Sequence, residues 1–185
     1  MPVRQFEVDF FNADDEAAKL NDGSYHSISQ KIRAEVNRRF ERFILDHIGR
    51  GQSLAIETTL RSTIALAQAQ QAQDAGFYVE MHYIATDSLE VNLNRVTKRF
   101  FGGGHSAPVE TLTDIREKSY KNLYTAINSV PGPLNELTIY DNSIDGVFMK
   151  KAFRVSLPPG RYVLDVELFD PPAYLDEYVD LAFRP

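Results

Sequence analysis

The sequence of 185 residues contains no cysteine and no tryptophan. The absence of cysteine excludes disulfides, thiolate metal sites and cysteine nucleophiles. Because disulfides are typical of oxidising compartments, this composition fits a reducing cytoplasm. A cytoplasmic location is therefore our expectation.

Long apolar runs are also missing, because no stretch approaches the about 20 apolar residues that a membrane-spanning helix needs. The N-terminal segment MPVRQFEVDF has acids among its apolar residues and no small-residue cleavage site, so it does not resemble a signal peptide. The formal net charge of −6 disfavours nonspecific nucleic-acid binding, because an acidic surface repels a phosphate backbone. We expect neither a membrane nor a nucleic acid as a partner.

Several catalytic and metal-binding signatures are absent as well. The histidines at 26, 47, 82 and 105 are scattered, and no pair of them has metal-ligand spacing. No G-x-S-x-G elbow is present, so a serine hydrolase of that type has no support. The glycines at 102–104 do not form a phosphate-binding loop, because the consensus G-x-x-x-x-G-K-S/T is absent.

The remaining sequence alternates predicted strands with predicted helices, in a length and hydrophobic fraction (43%) that suit a soluble globular protein. Apolar runs predict strands at 6–11, 53–57, 77–85 and 137–140, and helical spacing predicts helices at 28–48, 62–75, 88–100 and 108–127. Ser27 and Gln30 have capping-box spacing at the start of the long helix, whose apolar residues form one buried stripe and which is expected to end at Gly49 and Gly51. Ser88 is expected to cap the helix at 88–100, and the strand at 53–57 is expected to be buried on both faces. The alternation is typical of an α/β fold with a parallel sheet and flanking helices.

The C-terminal region departs from this pattern. Strands are predicted at 147–155 and 162–168, and the sequence LPPG favours a hairpin between them. From residue 156 onward there are six acids and two arginines, a net charge of −4 in thirty residues. We interpret 1–155 as the main domain and 156–185 as an acidic, aromatic extension. A solvated tail packed by tyrosine and phenylalanine is the favoured interpretation, and a partner-binding acidic surface is the alternative.

Ligands of open α/β sheets bind at the carboxyl ends of the strands, where Asp14, Glu57 and Asp141 are expected. Glu57, Thr58 and Thr59 follow a predicted buried strand, where a carboxylate is costly to desolvate without a partner or a ligand. These residues form either a substrate-binding loop or, equally well, a helix cap beside an ion-paired glutamate. Asp14 has the chemistry of a general base for a substrate hydroxyl, although an Asx turn is the favoured interpretation.

A group of cations lies near the glycine run. Arg95 and Arg99 are four residues apart on one predicted helix, so both can point to one side. His105 follows the glycines, and Arg116 lies in the next predicted helix. Such a set suits a lid that neutralises phosphate charge during transfer. On spacing alone, a solvated helix face is the favoured interpretation for the two arginines.

Taken together, the motifs follow a recognisable order: FFNADD, a long helix, SLAIETTLRS, GFYVEMHYI, NRVTKRFFGGGHSAP, IREKSYKNL and IYDNS. This order resembles the zeta-toxin-like kinases, including their E-T-T-L branch of predicted ATPases, over about residues 10–143. The resemblance implies a P-loop kinase type of α/β sheet. It also implies an ATP- and magnesium-dependent transfer of phosphate to a small-molecule substrate, UDP-N-acetylglucosamine in zeta toxins, and an antitoxin protein as a partner.

The resemblance also implies roles for individual residues. It makes Asp14 the general base. Glu57 and Thr59, on either side of Thr58, would bind the substrate, and Arg95 would be the arginine of the lid. His105 stands where the zeta toxins have a second lid arginine, as in the E-T-T-L branch, and is mostly neutral near pH 7. Arg99 and Arg116 are implied helpers at the phosphates.

The chain departs from the family's sequence pattern at its N-terminal end. The family begins with a central strand and the loop G-x-x-x-x-G-K-S/T, whose backbone N–H groups hold the phosphates, whereas Met1 lies about ten residues before the N-A-D motif. Loss of a central strand would leave unpaired backbone groups at about 1–3 kcal/mol each. We expect an upstream start, a decayed remnant or a repaired fold, and no kinase activity from the chain as it stands. The alternative function is a non-catalytic interaction module.

Overall fold

A computed structural model describes residues 8–102 and 107–183. It shows a mixed α/β protein whose chain divides into two compact units, the first ending at Thr58 and the second beginning at Thr59. The described part contains no helix that is both long and apolar enough to span a membrane. Each unit has a sheet and a hydrophobic core of its own.

The first unit contains the elements β1 (Asp9–Phe11), α1 (Ala13–Leu20), α2 (Gln30–Arg50) and β2 (Leu54–Ile56). The two strands pair in parallel, with Phe11 opposite Ile56. The ring of Phe11 packs 5.3 Å from the ring of Phe40 and 5.4 Å from that of Phe43, which belong to the apolar stripe of α2. The predicted stripe is thus confirmed, but β2 is only half-buried and not buried on both faces, because β1 is its one partner among the described residues.

The ends of α2 correct the capping prediction. Ser29 is the N-cap, and its hydroxyl accepts a hydrogen bond from the Ile32 amide at 3.3 Å. Ser27 adopts a left-handed φ of 54° and lies outside the helix. At the other end, Gly51 has a φ of 63°, which glycine adopts without steric cost, and its amide binds helix carbonyl oxygens. Gly49 lies inside the helix and does not end it.

The second unit holds eight described elements: α3 (Ile64–Asp74), β3 (Glu80–Ala85), α4 (Leu89–Phe101), α5 (Val109–Ile127), β4 (Glu136–Asp141), β5 (Lys150–Ser156), β6 (Asp165–Leu168) and α6 (Ala173–Phe183). The strand order is β3-β4-β5-β6, with β3 and β4 parallel and the other two pairings antiparallel. The predicted parallel pairing and the predicted hairpin are both present. The four-stranded sheet is therefore mixed, because only a short loop joins β4 to β5, and a parallel pair needs a crossover connection.

The C-terminal segment contributes to the core of the second unit. Leu175 of α6 is fully buried with Leu123 of α5 and Phe153 of β5, and Val179 is also buried. In the same segment β6 pairs with β5, while Leu168 is 61% exposed. The expected domain boundary at 155 stays a prediction, but part of the segment beyond it packs as an ordinary structural element.

Strand β3 forms one edge of the four-stranded sheet. The carbonyl oxygens of Val79 and Ala85 accept hydrogen bonds from amides that flank β4. Because backbone groups alternate in direction along a parallel strand, those of Glu80, His82 and Ile84 point away from β4. Within residues 8–102 and 107–183, no strand pairs with that side of β3, and the Ile84 side chain is 55% exposed.

His47 joins the last turns of α2 to β1 in the first unit. Its Nε2 lies 3.0 Å from Asp9 Oδ2, and its Nδ1 lies 2.7 Å from the Phe43 carbonyl oxygen. Both contacts favour the doubly protonated ring, so the hydrogen bond to Asp9, followed by that to Phe43, raises the pKa of His47 above its usual 6.5. Protonated His47 therefore stabilises the fold below the unfolded-state pKa, and this contribution is lost as the pH rises through the folded-state value.

We predict that Leu175→Ala lowers the free energy of unfolding of the second unit by about 2–5 kcal/mol, because it opens a cavity in a closed core. Urea denaturation followed by tyrosine fluorescence measures the change. Leu168→Ala is the matched control and is expected to have a much smaller effect, since that side chain is largely exposed. Equal effects of the two substitutions would mean that α6 is not a core element.

We also predict that NMR titration of the imidazole finds the pKa of His47 above 6.5 and that Asp9→Asn lowers it. The substitution removes the carboxylate that accepts from Nε2 and leaves the contact with Phe43 intact. An unchanged His47 pKa in the variant would contradict the assigned cause.

Candidate functional site

Asn12 links the two strand ends of the first unit. Its Oδ1 accepts hydrogen bonds from the amides of Asp14 at 2.9 Å and Asp15 at 3.1 Å, so it is the N-cap of α1. Its Nδ2 donates to Glu57 Oε2 at 2.7 Å. The parallel pairing of β1 with β2 makes this bond possible, because it places both strand ends at one edge. The N-A-D and E-T-T-L motifs therefore meet through one amide side chain.

Asp14 lies exposed in the first turn of α1, beside Asp15 and Glu16. The start of a helix favours negative charge, so this turn can hold several carboxylates. The Asx turn expected at the start of this segment is present, and the Asn12 side chain supplies its acceptor oxygen. The sequence pattern gave Asn12 no separate role, although an asparagine between a strand and a helix is a common capping signal.

The structure bears on the alternative interpretation of Glu57, Thr58 and Thr59 as a helix cap beside an ion-paired glutamate. Thr63 is the N-cap of α3, so neither Thr58 nor Thr59 caps that helix. The described partner of Glu57 is the neutral amide of Asn12 and not a basic side chain. A substrate-binding role for the three residues stays a prediction, with the capping alternative removed.

In the second unit, Arg116 clamps the turn between β3 and α4. Its guanidinium donates to Thr86 Oγ1 at 2.9 Å, to the Thr86 carbonyl at 2.9 Å and to the Asp87 carbonyl at 3.0 Å. It also lies 4.5 Å above the ring of Tyr120, whose hydroxyl donates to the same Thr86 carbonyl. Arg116 thus satisfies backbone carbonyls, and its predicted role as a phosphate helper has to compete with these bonds.

Asp141 ends β4 within a hydrogen-bonded group. Its Oδ1 accepts from the Ser143 hydroxyl at 2.5 Å and from the Tyr174 hydroxyl at 2.7 Å. Burial raises the pKa of Asp141, but the hydrogen bonds from Ser143 and Tyr174 outweigh burial and hold the pKa below its usual value. Ser143 Oγ also accepts from the Asp87 amide at 2.9 Å, which ties the end of β4 to the end of β3.

Two cations of α4 converge on Asp145, in the loop after β4. Arg95 Nε donates to Asp145 Oδ1 at 2.9 Å, and Lys98 Nζ donates to Asp145 Oδ2 at 2.5 Å. The hydrogen bonds from Lys98 and then Arg95 hold the pKa of Asp145 below its usual value. Arg99 is exposed in the last turn of α4, and His105 lies outside the described residues. The structure therefore pairs Arg95 with Lys98 at one acceptor, a pairing that sequence analysis did not predict.

A shallow cavity of about 390 Å³ lies along α5 and α6, lined by Arg116, Glu117, Tyr120, Lys121, Tyr174 and Tyr178. It shares Arg116 and Tyr174 with the strand-end network, and most of their polar groups bind other parts of the protein. In the described ranges, no group of three or more histidine or acidic side chains is placed to hold a metal ion.

No protein-family model matches the chain. A Haemophilus influenzae protein, described only as uncharacterized, is 36% identical over 62 residues, which are 34% of this chain and 41% of that protein. The chain thus spans less than half the length of the curated relative that it matches. This similarity assigns no activity.

We predict that Asn12→Ala speeds hydrogen exchange at the amides of Asp14 and Asp15, because those amides lose their acceptor, and costs about 0.5–2 kcal/mol of stability in the first unit. Asn12→Ser retains a capping oxygen but does not reach Glu57, so it should preserve amide protection. Exchange measured by NMR separates the two functions of Asn12. Native protection in Asn12→Ala would rule out the cap.

Proposed function

We propose that this chain belongs to an ATP-dependent phosphotransferase of the zeta-toxin type, which phosphorylates a hydroxyl of a small molecule such as an amino-sugar nucleotide. The main support is the hydrogen bond from Asn12 to Glu57, which joins the motif that the resemblance assigns to the general base with the motif that it assigns to substrate binding. A motif order that arose by chance would not require the side chains of its separate motifs to meet.

In the proposed reaction, Asp14 accepts the proton of the acceptor hydroxyl. The hydroxyl oxygen forms a bond to the γ-phosphorus of ATP, and the bond from that phosphorus to the bridging oxygen of ADP breaks. Glu57 and Thr59 would bind the acceptor, with Thr58 beside them. The bond from Asn12 occupies Glu57 Oε2 and orients the carboxylate, so that Oε1 can accept from a substrate hydroxyl. Arg95, assisted by Arg99 and His105, would neutralise charge on the phosphoryl group.

The residues present do not by themselves fit Mg²⁺ and the phosphates of ATP. The sequence has no phosphate-binding loop, and the described residues offer no three-ligand metal group. A phosphate loop would have to come from a segment outside these residues, preceded by a strand. Among residues 8–102 and 107–183, one edge of β2 in the first unit has no strand partner, nor has one edge of β3 in the second, and either edge is compatible with an added strand.

A fusion experiment tests the proposal. We predict that the chain alone transfers no phosphate, and that adding a strand and G-x-x-x-x-G-K-S/T loop before Met1 creates transfer from ATP to UDP-N-acetylglucosamine. In the fusion, Asp14→Ala should reduce the rate by about 10²–10⁴-fold, the usual contribution of a general base. Radiolabelled phosphate transfer provides the measurement.

Asp15→Ala is the matched control, since it removes the same charge from the same turn of α1 and should retain most of the activity. If Asp14→Ala turns over at the intact rate, the assignment of the base is wrong. The alternative function, a non-catalytic interaction module, is favoured if the fusion also transfers nothing and calorimetry detects no Mg-ATP binding.

A further inference from the structure

The contact of Arg95 and Lys98 with Asp145 has the form of an occupied anion site. The two cations lie three residues apart, on one side of α4. Each binds a different oxygen of one carboxylate, at 2.9 Å and 2.5 Å. A phosphate group offers a similar pair of anionic oxygens, and charge-assisted hydrogen bonds of this kind are also the usual contacts of phosphate. The Asp145 carboxylate therefore stands where a phosphoryl group could bind.

A structural role accounts poorly for this contact. The side chains of Lys98 and Asp145 are 69% and 48% exposed, and exposed ion pairs contribute little to stability. Apolar packing does not hold the loop at this point either, because the flanking Ile144 and Phe148 are 60% and 97% exposed. Little opposes the withdrawal of Asp145 when a better anion arrives.

We infer that Arg95 and Lys98 form a binding site for phosphate-bearing ligands, and that Asp145 is a built-in competitor that occupies this site in their absence. The role of Arg95 in binding phosphate rests on the proposed function, whereas the roles of Lys98 and Asp145 go beyond it. A ligand gains the two cations only after it displaces Asp145, so the carboxylate lowers the apparent affinity for phosphate without preventing its binding.

Removal of the competitor should strengthen anion binding. A carboxylate that remains within about 4 Å of a bound anion repels it by an amount equivalent to roughly fivefold in affinity in a water-like environment. Asp145→Asn keeps the shape of the side chain and removes this charge. Lys98→Gln removes one of the two cations and should weaken binding.

The chain offers a matched pair of controls on α5. Lys118 and Asp114 form an exposed ion pair at 2.6 Å, with side chains 55% and 43% exposed. Asp114→Asn and Lys118→Gln therefore change the net charge of the protein by the same amounts, in a similar setting but at another place. They account for any general effect of charge on anion binding.

We propose titration of the 185-residue chain with inorganic pyrophosphate at constant ionic strength. The NMR chemical shifts of the backbone amides of α4 monitor binding. We expect Asp145→Asn to bind more tightly than the native protein, by up to about fivefold, and Lys98→Gln to bind more weakly. Each control should match the native protein. Amide spectra of the free variants show whether they are folded.

Equal affinities for Asp145→Asn and Asp114→Asn would overturn the inference. If Asp145→Asn does not fold, Lys98→Gln decides: an affinity equal to that of Lys118→Gln overturns the inference, and a lower one supports it. Pyrophosphate binding needs neither a phosphate loop nor an acceptor. Failure of the kinase proposal would therefore not affect this result, and failure here would leave the test of Asp14 intact.

Discussion

Parallel strand pairing is the constraint on which the polar architecture of both units depends. Because paired parallel strands end at the same edge, the residues that follow them must share one small region. In the first unit this edge brings Asn12 to Glu57. In the second it brings Thr86 and Asp87 beside Ser143 and Asp141. Backbone groups that leave the sheet here need new partners, and in both units side chains supply them.

Local pattern predicted most of the helices but few of their partners. The caps Ser88 and Gly51 and the stripe of α2 were readable because they depend on neighbours within a few residues. Ser27 and Ser29 have the same intrinsic capping preference, so only the backbone conformation distinguishes them. Helix α6 escaped prediction because its acids and aromatic residues favour helix only weakly, and its burial against Leu123 and Phe153 depends on distant parts of the chain.

The site followed the same rule. Sequence analysis selected chemically plausible side chains at strand ends, and two of the motifs do meet in the first unit. It did not identify the bridging role of Asn12, because the partner of its side chain lies 45 residues away. Nor did it find Asp145, which lies 50 residues from Arg95. Helical spacing grouped Arg95 with Arg99, whereas the position of the loop after β4 selected Lys98.

The contacts of the two arginines also decide which of them an incoming anion can recruit. Moving Arg116 would remove its hydrogen bonds to the Thr86 hydroxyl and to two backbone carbonyls, together with its stacking on Tyr120. The Thr86 carbonyl would keep the hydrogen bond from the Tyr120 hydroxyl. Moving Arg95 would break only an ion pair with a half-exposed aspartate, which water and the new ligand can replace. The difference favours a structural role for Arg116 and leaves Arg95 as the arginine whose partner can be exchanged. The resemblance to zeta toxins treats both arginines as cations near phosphate. The distinction between them follows from their burial and from the kind of acceptor that each guanidinium binds.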